Sequence, residues 1–134
     1  MIAARFSRNR IVGIVAGAAY IAVGALGFLV TADVAFTSTE GGILVTLLEV
    51  NPLQNLVHIV LGLILLAAGI AAHRIAVVTN TVIGVVTFAL GFYGLFAIDA
   101  PTNLLALNTW GNALHFGSSA VLVAVGLGAD RTEE

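Results

Sequence analysis

Four long apolar stretches, separated by short polar segments, dominate the pattern of this chain. They cover residues 11–31, 52–72, 75–98 and 109–129. His58 and His115 are the only acidic, basic or imidazole side chains within them. A membrane-spanning helix needs about 20 mostly apolar residues, and these stretches lack the alternating apolar and polar residues of a membrane β-strand. We therefore predict an all-α protein, a bundle of four transmembrane helices.

The basic residues indicate an orientation for the predicted helices. All five of them fall on one side of the four spans: Arg5, Arg8, Arg10, Arg74 and Arg131. The segments on the other side contain acidic residues but no Lys or Arg. Because the cytoplasmic segments of membrane proteins are enriched in Lys and Arg, we expect both termini in the cytoplasm (N-in/C-in).

The composition excludes several other classes of protein. Hydrophobic residues make up 60% of the 134 residues and charged residues 9%, whereas charged residues are about 25% of an average soluble domain. So few charges cannot cover a soluble globule. The absence of cysteine excludes a disulfide scaffold, and the net charge of −2 argues against nucleic acid as a partner. We interpret residues 1–134 as a single integral membrane domain surrounded by the lipid bilayer.

The two halves of the chain resemble each other. A shift of 57 residues places Asn51 on Asn108, Asn55 on Asn112, and His58 on His115. A shift of 67 residues places Gly17, Gly24 and Gly27 on Gly84, Gly91 and Gly94. The simplest explanation is a duplicated helical hairpin, whose two copies are related by a pseudo-twofold axis along the membrane normal.

Small residues recur at spacings of three or four within every apolar stretch. Such spacings place them on one helix face, and small residues allow transmembrane helices to pack closely. We expect the following positions to lie between helices: Gly17, Gly24, Gly27, Gly62, Gly69, Gly84, Gly91, Gly94, Ser119 and Gly126.

Polar residues ahead of the second and fourth stretches predict where these helices begin. Asn51 followed by Pro52 is typical of a helix N-cap and first turn, and Asn108 is the corresponding cap. The apolar segment before Asn51, residues 41–50, is too short to span a membrane. We expect it to form a short interfacial helix or a lid over the outer end of the bundle.

Two Asn-x-x-His motifs contain the candidate functional residues. They comprise Asn55, His58, Asn112 and His115. Because each histidine lies about two turns into its helix, the two motifs should share one depth and face each other. Ionisable residues within membrane spans often mark functional sites.

Three interpretations of these motifs stay open. Their side chains could form a buried hydrogen-bond network between helices, with both imidazoles neutral. Alternatively, His58 and His115 could ligate the iron of haem b or another metal ion. The motifs could also form a pH-sensitive site or bind the headgroup of a quinone or lipid.

The two motifs, with the residues that precede them, resemble a family of small bacterial membrane proteins, domain of unknown function 4383. The segments that carry the resemblance are Val-Asn-Pro-Leu-Gln-Asn-Leu-Val-His at residues 50–58 and Asn-Thr-Trp-Gly-Asn-Ala-Leu-His at residues 108–115. The resemblance covers roughly residues 10–129. It implies a four-helix protein of the bacterial inner (plasma) membrane. In the family's pattern an acidic residue often precedes the second Asn, where this chain has Gly111. The family has no assigned reaction, so the resemblance implies none.

The sequence contains no nucleotide-binding or catalytic motif, so we expect a non-enzymatic protein without a cofactor. The predicted role is that of an accessory or structural component of the membrane, associated with other membrane subunits or with itself. A haem-, metal-, quinone- or lipid-binding protein is the first alternative, and a small transporter or channel is the second.

Overall fold

The computed structural model describes residues 6–128, which contain four long helices. These are α1 (Arg8–Gly27), α2 (Pro52–Ala71), α3 (His73–Ala97) and α4 (Thr109–Gly128). A 3-10 turn at Phe28–Val30 extends α1. Each helix is long and apolar enough to cross a membrane. The prediction of an all-α bundle of four transmembrane helices is confirmed.

The helices overlap the predicted spans and differ from them at the ends. α3 begins at His73 rather than at residue 75, because one extended residue, Ala72 (φ −159°, ψ 156°), separates it from α2. Arg5, Arg131 and the last residue of the predicted fourth span lie outside the described residues. The cytoplasmic position of both termini therefore stays a prediction.

Asparagine side chains cap α2 and α4. Asn51 Oδ1 accepts a hydrogen bond from the Gln54 N–H at 2.8 Å, and Pro52 is the first residue of α2. Asn108 Oδ1 accepts one from the Gly111 N–H at 2.9 Å. These bonds satisfy N–H groups that the first turn of a helix leaves without intrahelical partners, so they fix where each helix begins.

Small residues bring the helices into backbone contact. α1 packs mainly along α2, and α3 mainly along α4. A Cβ atom on Gly17 would lie 2.6 Å from the Leu66 nitrogen, and one on Gly62 would lie 2.7 Å from the Gly17 carbonyl oxygen. All ten of the small residues expected between helices are buried. Close approach of the backbones therefore stabilises each helix pair.

The core between the helices and the outer surface of the bundle are both apolar. Tyr20, Leu61, Leu65, Ile83 and Leu122 form the buried core cluster. Large apolar side chains on every helix are more than half exposed: Val15, Leu63, Val82 and Val121. An outer surface of this kind suits the hydrocarbon region of a bilayer, whose lipid tails are as apolar as leucine.

Residues 41–50 form a β-hairpin, which contradicts the interfacial helix that was one of our two expectations for this segment; the other, a lid over the outer end of the bundle, stays a prediction. The strands are β1 (Gly42–Leu44) and β2 (Leu48–Val50), and they pair antiparallel. Val45 and Thr46 form the turn with φ of 50° and 62°, a conformation that β-branched residues rarely adopt. The helix expectation was wrong because the segment is rich in β-branched residues and places exposed Ile43 beside buried Leu44, which are features of strands.

Two asparagine side chains form hydrogen bonds across the end of the bundle that carries the β-hairpin. Asn51 Nδ2 donates to the Leu104 carbonyl, and Asn108 Nδ2 donates to the Leu47 carbonyl, both at 2.8 Å. The shift of 57 residues relates the donor Asn51 to the donor Asn108, and the acceptor Leu47 to the acceptor Leu104. Reciprocal contacts of this kind agree with a duplicated hairpin, and the duplication itself stays a hypothesis.

Candidate functional site

His58 on α2 and His115 on α4 contact each other inside the bundle. Their Nε2 atoms lie 3.4 Å apart, and their ring centroids lie 5.7 Å apart with the planes at 66°. The side chains are 1% and 0% exposed. The structure thus brings together the two histidines that the sequence marked.

A glutamine that the sequence analysis missed completes this group. Gln54 Nε2 lies 3.0 Å from His58 Nε2 and 3.3 Å from His115 Nε2, and the residue is buried. Gln54 precedes His58 by four residues, a spacing that places both on one face of α2. The 57-residue shift puts Gly111 at the corresponding position, so the repeat gave no sign of Gln54. We term Gln54, His58 and His115 the histidine cluster.

Tyr20 on α1 covers one side of the histidine cluster. Its ring centroid lies 5.3 Å from that of His58 with the planes at 73°, an edge-to-face contact. The Ser118 hydroxyl donates to the Leu114 carbonyl at 2.7 Å, and the Tyr20 hydroxyl lies 2.6 Å from Ser118 Oγ and donates to it. Tyr20 therefore connects α1 to α4 beside the cluster.

Asn55 and Asn112 lie next to the glycines of the neighbouring helices, and neither forms a hydrogen bond with the histidine cluster in the described chain. Asn55 Nδ2 donates to Thr31 Oγ1 at 3.1 Å. A Cβ atom on Gly27 would collide with the carboxamide of Asn55, and one on Gly94 would collide with that of Asn112. The two asparagines therefore fill the space that these glycines leave, and they are not part of one polar group with the histidines.

Three polar atoms of the histidine cluster have no hydrogen-bond partner among residues 6–128: Gln54 Oε1, His58 Nδ1 and His115 Nδ1. The Gln54 amide can donate one hydrogen to each Nε2, which requires both rings to be neutral with their protons on Nδ1. A buried polar group without a partner costs about 1–3 kcal/mol. Contacts within the described chain therefore leave the polar groups of this cluster only partly satisfied.

The spacing of the two rings bears on the haem alternative. Axial ligation by both histidines would place the macrocycle between the imidazoles. Here the Nε2 atoms of His58 and His115 contact each other at 3.4 Å, and the Gln54 amide contacts both. This arrangement leaves no separation for a planar ring between the two histidines.

Comparison with known protein families identifies a match that covers most of the chain. The sequence model of the family described as Domain of unknown function (DUF4383) matches residues 10–128. The chain belongs to the DUF4383 family. The DUF4383 match includes nearly all of the four helices and the whole histidine cluster, and it confirms the family that the Asn-x-x-His motifs indicated. Comparisons with curated proteins and with solved structures found no match.

Proposed function

We propose that this membrane protein is a non-enzymatic accessory or structural component of the bacterial plasma membrane, with both termini in the cytoplasm and a place in a larger membrane assembly. The close packing of the core cluster and of α1 against α2 is the observation that carries the proposal. Leu65 and Leu122 are fully buried in the core cluster with Tyr20, and the α1 and α2 backbones touch at Gly17. A transporter or channel needs a hydrated path or cavity within the span.

Polar side chains within the bundle also connect the helices. Asn80 Nδ2 donates to the Asn9 carbonyl oxygen and to Asn9 Oδ1 at 2.9 and 3.0 Å, and Asn9 Nδ2 donates to the Val125 carbonyl at 3.0 Å. These bonds join α3 to α1 and α1 to α4. Interhelical hydrogen bonds stabilise helix bundles in membranes. They support a role in which the bundle acts as one rigid body.

The outer surface determines what such a protein contacts. Val15, Leu63, Val82 and Val121 represent the four helices on this surface, and each is more than half exposed. Because lipid tails and partner helices are similarly apolar, hydropathy does not distinguish between them. Cross-linking at single positions does.

A photo-cross-linking amino acid placed in turn at these four outward positions tests the proposal in the native membrane. We expect at least one position to yield a protein adduct of fixed mass, with a partner subunit or a second copy. The same group at buried Leu61 is the control and should yield no intermolecular product. Two results would contradict the proposal: no intermolecular product from any of the four positions, or solute flux through liposomes that contain only this chain.

A further inference from the structure

We propose that Gln54, His58 and His115 together bind a single transition-metal ion that imidazole nitrogen can coordinate. Cu⁺ is the preferred ion, and Zn²⁺ competes with it for the same site. The site goes beyond the accessory role and does not depend on it.

The three side chains place three polar atoms at the corners of a nearly equilateral triangle. Its edges measure 3.0 Å and 3.3 Å, from Gln54 Nε2 to the two histidine Nε2 atoms, and 3.4 Å between those two. Ligand atoms at about 2.0–2.1 Å from a tetrahedral metal lie about 3.3 Å from one another. The triangle therefore has the size of one face of a tetrahedral coordination sphere.

Rotation of the Gln54 amide completes the set of ligand atoms. A turn of about 180° around the last side-chain bond exchanges the amide nitrogen and oxygen. It brings Oε1, which lacks a hydrogen-bond partner in the described chain, to the corner of the triangle. The site then offers two imidazole nitrogens and one carbonyl oxygen, and imidazole is a preferred ligand of both copper and zinc.

A bound cation also suits the electrostatics of the two rings. When both Nε2 atoms accept hydrogen bonds from Gln54, their lone pairs face the same region across 3.4 Å. A cation there turns this repulsion into attraction, while each ring keeps its proton on Nδ1, which has no hydrogen-bond partner in the described chain.

The charge of the surroundings favours a monovalent ion. The acidic residues of the described chain all lie outside the four helices: Asp33, Glu40, Glu49 and Asp99. The ligands of the proposed site are therefore neutral, and the charge of the ion stays uncompensated inside the bundle. The free-energy cost of burying an ion in a medium of low polarity rises steeply with the magnitude of its charge. Cu⁺, with one positive charge, is therefore preferred over Zn²⁺, with two.

Metal titration of the full-length protein in lipid nanodiscs tests the site. Cu⁺ under reducing conditions, and Zn²⁺ separately, are titrated against a chromophoric chelator. We expect one Cu⁺ per chain, held at least about 100-fold more weakly by His58→Gln and by His115→Gln. His73→Gln is the matched control, because His73 is an exposed histidine at the start of α3 whose Nδ1 lies 2.9 Å from Ser7 Oγ, and it should bind like the wild type.

Several results of this titration would overturn the proposal. Folded wild-type protein that binds neither ion in a fixed ratio would remove the site. Equal Cu⁺ affinity in His58→Gln, His115→Gln and His73→Gln would place any bound ion elsewhere. Tighter binding of Zn²⁺ than of Cu⁺ would overturn the assignment of the ion.

Gln54→Glu tests, through a gain rather than a loss, whether the side chain at position 54 lies within reach of the bound ion. A carboxylate at this corner adds a charged ligand, so Zn²⁺ should bind at least about tenfold more tightly. If Gln54 only donates hydrogen bonds to His58 and His115, the substitution removes both bonds, and unchanged or weaker Zn²⁺ binding would refute its role as a ligand. X-ray absorption spectra of the Cu⁺-loaded wild type, which need no variant, should show outer-shell scattering from two imidazoles, and its absence would refute ligation by the pair.

Discussion

Gly17→Ala tests the close packing of α1 against α2. A Cβ atom on Gly17 would lie 2.6 Å from the Leu66 nitrogen, 2.7 Å from the Gly62 carbonyl oxygen and 3.0 Å from Leu66 Cα. All three are backbone atoms, so no side-chain rotation makes room for the methyl group. The two helices must instead move apart, by about 0.5–1 Å, and lose contact along their shared face.

The expected loss of stability follows from this displacement. A gap of about 0.5–1 Å removes roughly a quarter to a half of the dispersion energy of each contact across it, and overpacking a dense interior costs about 1–3 kcal/mol. The higher helix propensity of alanine offsets up to about 1 kcal/mol. We therefore expect Gly17→Ala to lower the free energy of unfolding by about 1–2 kcal/mol.

Gly117→Ala on α4 is the matched control, because a Cβ atom there would meet no heavy atom within 4 Å. The same chemical change should be neutral or slightly stabilising at this position. The assay is reversible unfolding of the purified protein in mixed micelles with increasing sodium dodecyl sulfate, followed by circular dichroism. Equal unfolding midpoints for the two variants would refute the argument that backbone contact at Gly17 stabilises the bundle.

Three further predictions concern the ends of the helices. Arg10 donates to two carbonyls at the C-terminal end of α2, at 2.9 and 2.7 Å. Arg10→Gln should therefore lower the free energy of unfolding by about 1 kcal/mol in the same assay. An equal loss in the control variant Arg74→Gln would point to a general charge effect instead. Asn51→Ala removes the cap of α2 and the hydrogen bond to the α3–α4 loop, and it should lower the free energy of unfolding by about 2 kcal/mol. An unchanged unfolding midpoint would contradict the contribution of these bonds. A reporter that is active only outside the cytoplasm should be inactive when fused after Arg74 and active after Asp99, and the opposite pattern would reverse the predicted orientation.

Hydropathy predicts most of this fold because the bilayer imposes one length and one composition on every span. It places the break between the second and third spans at His73 and Arg74, but it does not show that one extended residue, Ala72, makes this break and that both polar residues belong to α3. It also fails for residues 41–50, where an apolar segment too short to cross the membrane has more than one way to bury its side chains. The hairpin also requires positive φ at Val45 and Thr46, a conformation that β-branched residues rarely adopt, so the local sequence gives no sign of a turn there.

The candidate site was predictable in part. The repeat marked His58 and His115, because it highlights positions that recur in both halves of the chain. It could not mark Gln54, whose counterpart in α4 is Gly111, a residue without a side chain. At about 100° per residue, Gln54 and Asn55 lie roughly 40° and 60° to opposite sides of His58, so helix periodicity alone does not decide which of them faces His115. The relative placement of the helices decides it, and this depends on packing along the whole bundle.

The single amide of the histidine cluster has a consequence for how such a site can be assembled. Gln54 occupies a position whose counterpart, Gly111, has no side chain. A twofold assembly of identical hairpins carries every side chain an even number of times, so it would contain two glutamines beside the histidine pair or none. One amide between two imidazoles requires two non-identical halves. The odd number of polar side chains at the centre of this bundle is therefore attainable because both hairpins belong to one polypeptide, whose halves can change independently.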